Sequence, residues 1–109
     1  MIDDPETVSS LMAKMEAQLP IPAFPTPELV RSLRSKGLKV SADRTLLIKH
    51  IFYAGDEGGI NCDITPAGDA KVAVVVSLTH LRIGPRHPLS REIRAYQRER
   101  ILRIARSAL

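Results

Sequence analysis

In the first twenty residues apolar positions fall at intervals of three and four: Val8, Leu11, Met12, Met15 and Leu19. That period puts them on one face of a helix. Asp4 offers a capping carboxylate and Pro5 suits the first helical position. Pro20 marks the end, because the residue before a proline disfavours helix. Residues 20–27 read Pro-Ile-Pro-Ala-Phe-Pro-Thr-Pro. Proline lacks the N–H that a sheet interior needs, so this segment is expected to be an extended connector, with Ile21 and Phe24 free to pack. Thr26 and Pro27 repeat the cap-then-proline signal. A short helix burying Leu29, Val30 and Leu33 should follow and close at Gly37, where a left-handed residue commonly ends a helix.

The period then shifts to two. Thr45–Tyr53 is rich in β-branched and aromatic residues, and Gly55-Asp56-Glu57-Gly58-Gly59 is turn chemistry. Ile60, Cys62 and Ile64 alternate with Asn61, Asp63 and Thr65, the signature of a half-buried strand. Pro66-Ala67-Gly68-Asp69 forms a second turn signal. Lys71–Ile83 reads as one long strand, with Val72, Val74, Val76 and Leu78 on one face and Ala73, Val75, Leu81 and Ile83 on the other. Gly84, Pro85 and Pro88 break it. From Pro88 to Leu109 the period returns to helical, with Leu89, Ile93, Tyr96, Ile101, Ile104, Ala105 and Ala108 on one broad arc. The predicted architecture is a single α+β domain over residues 1–109: a three-stranded antiparallel meander packed by two N-terminal helices and one long amphipathic C-terminal helix. A helix-turn-helix built from residues 26–36 and 41–53 is disfavoured, because Ile48–Tyr53 prefers strand.

Composition supports a folded core, with 44% apolar and 26% charged residues in 109. One cysteine, Cys62, rules out an intrachain disulfide. An acidic start and the lack of an apolar run of about 20 residues lead us to expect a soluble, cytoplasmic protein with no membrane contact.

Charge changes the picture more. Residues 1–20 carry Asp3, Asp4, Glu6 and Glu16 against Lys14, a net −3. Residues 82–109 carry eight arginines against Glu92 and Glu99, a net +6. Arg91, Arg94, Arg98 and Arg106 cluster opposite the apolar arc of the last helix, with Glu92, Glu99 and Arg103 at its edge. Guanidinium forks suit phosphates and carboxylates, so these four arginines are the candidate partner-binding residues, for an acidic protein surface or nucleic acid. Four aromatic residues in the whole chain are too few for the stacking platforms of single-strand binders.

Other candidate chemistry is sparse. His50 is expected to lie across from the region of Asp63, where the pair could act as base and orienter or form a plain hydrogen bond within the sheet. His50, Cys62 and His80 lack metal-ligand spacing, and the Gly55–Gly59 loop lacks a phosphate-cradle pattern. His87 is placed to cap the last helix. No cofactor, metal or catalytic residue is therefore assigned. Three readings follow: a non-enzymatic binding module, a homo-oligomeric structural or adaptor protein motivated by the two-sided apolar strand at 72–83, and a small enzyme using His50, Asp63 and His80.

Overall fold

A computed structural model of the chain describes residues 2–65 and 73–107. Helix α1 (Pro5–Glu16) begins at Asp4, whose carboxylate accepts from the Thr7 amide, and buries Val8, Leu11 and Met15. Strand β1 (Ile21–Pro25) leads into helix α2 (Pro27–Ser35), capped by the Thr26 hydroxyl and buried through Leu29, Val30 and Leu33. Gly37 follows at φ +85°, and its N–H and that of Leu38 bond back to Arg34 and Leu33. That pattern is the Schellman closure the glycine position predicts. Strands β2 (Leu46–Ile48), β3 (His50–Tyr53), β4 (Ile60–Asp63), β5 (Val75–Ser77) and β6 (Leu81–Arg82) come next, with a 3₁₀ turn at Leu78–His80. Helix α3 (Ser90–Ser107) ends the described chain.

The fold is α+β, with three α-helices among the described residues, and the expected meander is present as the sheet β3-β4-β5. His50 stands opposite Asp63, and Asp63 opposite Val75. A second antiparallel sheet, β2-β1-β6, corrects two expectations. The proline-rich segment is its central strand rather than a connector. Its neighbours flank different halves, with β2 pairing residues 21–23 and β6 pairing residues 24–25. Each proline therefore meets a paired strand on one side only, and a missing N–H is tolerated.

The long two-sided strand is also not continuous. Ser77 turns the chain out of the meander: its hydroxyl donates to the Gly58 carbonyl and accepts from the Thr79 amide. Such a local side-chain bond competes with the strand ladder. Leu78 drops fully into the core, and Leu81–Arg82 join the other sheet beside β1. The predicted turn at 66–69 and residues 71 and 72 lie outside the described residues.

One hydrophobic core draws on all three helices and both sheets, with Met15, Ile21, Ile48, Ile60 and Ile93 fully enclosed. Among the described residues no helix is long and apolar enough to cross a membrane.

Candidate functional site

Helix α3 carries the candidate site, and its rotation about its own axis decides which residues are on offer. His87 prepares the start: its Nδ1 accepts from the Leu89 amide at 3.0 Å. The buried stripe then runs Ser90, Ile93, Tyr96, Arg100, at spacings of three, three and four. Leu89, Ile93 and Tyr96 are buried as expected. In the second half of the helix the expectation fails. Arg100 takes the inward position, while Ile101, Ile104 and Ala105 are exposed, and Leu102 with them. Ala108 lies outside the described residues.

Arg100 is accommodated because the N-terminus delivers a carboxylate to it. Its Nη1 donates to Asp3 Oδ2 at 2.9 Å, and both side chains are 3% exposed or less. The same Asp3 oxygen accepts from Tyr53 Oη and Tyr96 Oη, each at 3.1 Å, and Arg100 Nη2 donates to the Asp56 carbonyl. Tyr96 Oη in turn accepts from the Ile60 amide at 3.0 Å. Burial, chiefly, pushes the Tyr96 hydroxyl up to about 12, and it raises Tyr53 as well. Gly59 (φ +66°) closes over this node: a Cβ there would collide with Tyr96 Oη and lie 2.8 Å from Asp3 Oδ2. A buried ion pair needs hydrogen bonds beyond the pair itself, and here the two tyrosines donate to Asp3 Oδ2 while the Asp56 carbonyl accepts from Arg100 Nη2.

The next arginine is also engaged. Arg103 donates through Nε to Glu99 and through Nη1 to the Ile2 carbonyl. Along the α1–α3 seam Lys14 bridges to Glu92 at 3.0 Å. A groove of about 680 Å³ lies along this seam, with Asp4, Glu6, Glu92, Glu99 and Arg103 in its walls beside the Asp3–Tyr96–Arg100 node.

Arg91, Arg94, Arg98 and Arg106 behave differently. All four are exposed. Among the described residues the ion pairs are Lys14–Glu92, Arg31–Glu28, His50–Asp63, Arg100–Asp3 and Arg103–Glu99, and none involves these four. Arg94, Arg98, Leu102 and Arg106 form one row at four-residue spacing, so an apolar residue interrupts the cationic row. Arg91 to Arg106 spans about 22 Å along the helix axis.

The histidine candidates do not converge. His50 Nδ1 lies 3.2 Å from Asp63 Oδ2, as the strand register implies. Asp63, however, is mainly a turn residue: its Oδ1 accepts from both the amide and the hydroxyl of Thr65, and these bonds hold its carboxyl below the usual range. A carboxylate held so is a weak base at neutral pH. Val75, at one end of β5, is level with His50 and Asp63, whereas His80 follows the other end, in the 3₁₀ turn. Cys62 is enclosed in the core, where burial raises its thiol to about 12. Among the described residues no group of three or more His, Cys, Asp or Glu is placed to hold a metal ion.

Comparison with protein-family models, curated proteins and solved structures finds no match.

Proposed function

We propose that this protein is a binding module that offers the outer face of α3 to an acidic partner. One observation carries the reading: of six arginines on α3, Arg100 and Arg103 are engaged within the fold, and Arg91, Arg94, Arg98 and Arg106 are exposed with no carboxylate in ion-pair contact among the described residues. Exposed Ile101 and Leu102 sit within and beside the cationic row. A partner that covers them needs apolar positions as well as anions, which favours an acidic protein segment over a bare phosphate backbone. Self-association through the same face is less well supported, since a two-fold contact would set Arg94 and Arg98 against their own copies.

The test is fluorescence anisotropy with three labelled probes, namely duplex DNA, single-stranded RNA and an amphipathic Glu/Leu peptide, at low and physiological salt. We expect peptide binding that weakens with salt. Exposed ion pairs contribute about 0.5 kcal/mol each, so R91Q/R94Q/R98Q should weaken it about tenfold. Tighter binding to nucleic acid would reassign the partner to a phosphate backbone, and no binding to any probe at low salt would overturn the reading.

A further inference from the structure

A second cationic feature lies away from α3, where α2 turns toward β2. Residues 31–44 hold Arg31, Arg34, Lys36, Lys39 and Arg44 against a single acid, Asp43. The loop borders a shallow, open depression lined by Arg34, Lys39, Ser41 and Arg44 together with Gly37 and Leu38, and the three cationic side chains are exposed there. Val40, buried in the core, anchors the loop.

The two guanidiniums are held in place by the loop itself. Arg34 Nε donates to the Val40 carbonyl and Arg44 Nη1 to the Lys39 carbonyl, both at 2.9 Å. These bonds leave both Nη groups of Arg34 and Nη2 of Arg44 without a protein acceptor among the described residues. Nor are the cations needed to cap α2, because the carbonyls of Leu33 and Arg34 already accept from the amides of Lys36, Gly37 and Leu38. Among the described residues no carboxylate lines the depression, and Asp43 accepts from the Ser41 hydroxyl at 2.7 Å. Restrained guanidiniums lose less freedom on binding, which favours bidentate capture of a tetrahedral oxyanion.

We propose that the open depression between α2 and β2 is a binding site for a phosphate group, held by Arg34 and Arg44 with Lys39 as a third cation. The site is independent of the α3 face. Its ligand is a free phosphate or the phosphate of a small phosphomonoester, and the two are separated by comparing inorganic phosphate with a sugar phosphate.

The experiment is a ¹⁵N–¹H NMR titration of the full chain with each of these two probes, against sodium chloride at matched ionic strength. The expected result is saturable shifts at the amides of Gly37, Lys39 and Ser41 and at the Arg34 and Arg44 Nε–H signals. Tighter binding of the sugar phosphate would identify a phosphomonoester as the ligand, and tighter binding of inorganic phosphate would identify the free ion. K39Q, which removes no hydrogen bond found in the structure, should weaken binding severalfold, and R44Q about tenfold or more. R91Q/R94Q/R98Q should leave it unchanged, so the result stands apart from the fate of the α3 reading. Shifts matched by chloride, or binding retained in K39Q/R44Q, would overturn the proposal.

Discussion

Arg100 shows how one residue sets the face of a helix. By hydropathy its neighbours Ile101 and Ile104 belong inside, yet the guanidinium lies there, tied to Asp3, which is 97 positions away along the chain. Removing one partner of a buried pair leaves the other charge uncompensated, at a cost of about 3–5 kcal/mol. Arg100→Met is therefore expected to lower unfolding free energy by about that amount in urea titration, while the double variant with Asp3→Asn should recover part of it. Additive losses would contradict the pairing. Gly59→Ala tests the same node from its lid. A left-handed non-glycine residue costs about 1–3 kcal/mol by itself, and the added Cβ has no room beside Tyr96 and Asp3. The node also predicts alkaline sensitivity. Tyr96 is raised to about 12 in the fold, against about 10 in an unfolded chain. Its contribution is complete below pH 10 and is lost as pH rises through about 12. Stability measured between pH 9 and 11.5 should fall more steeply in the wild type than in Tyr96→Phe, and equal slopes would contradict this.

At the scale of elements, legibility followed how local each cause is. The caps at Asp4 and Thr26, the glycine closure at Gly37 and the His50–Asp63 register depend on neighbours or on one short turn, and all are readable in the sequence. The sheet β2-β1-β6 joins segments far apart in the chain, and prolines in its central strand argued against it. Only the finished topology shows that each neighbour pairs with half of β1. The break at Ser77 was hidden for a similar reason, because the carbonyl its hydroxyl meets belongs to the glycine-rich turn before β4. The four outward arginines of α3 were legible from spacing. The inward turn of Arg100 left one signal, its place seven and four residues along from Ile93 and Tyr96, which hydropathy alone overrides. The cationic loop after α2 carried no periodic signal, and its convergence appears only once Arg34 and Arg44 are seen bonded to loop carbonyls.

Over the whole molecule, the charge asymmetry is partly answered within the chain. The acidic N-terminus folds back on the basic helix at Asp3–Arg100 and, through a main-chain carbonyl, at Ile2–Arg103. That pairing leaves an acidic groove along the α1–α3 seam and a cationic row on the outer side of α3. The outer row is the part our proposal assigns to a partner. Its most direct test is the salt dependence of peptide affinity, measured for the wild type and for R91Q/R94Q/R98Q across the same salt series. We predict a steep loss of affinity with salt for the wild type, and a weaker, flatter curve for the variant. Coincident curves would show that these arginines contact no acidic partner and would contradict the account.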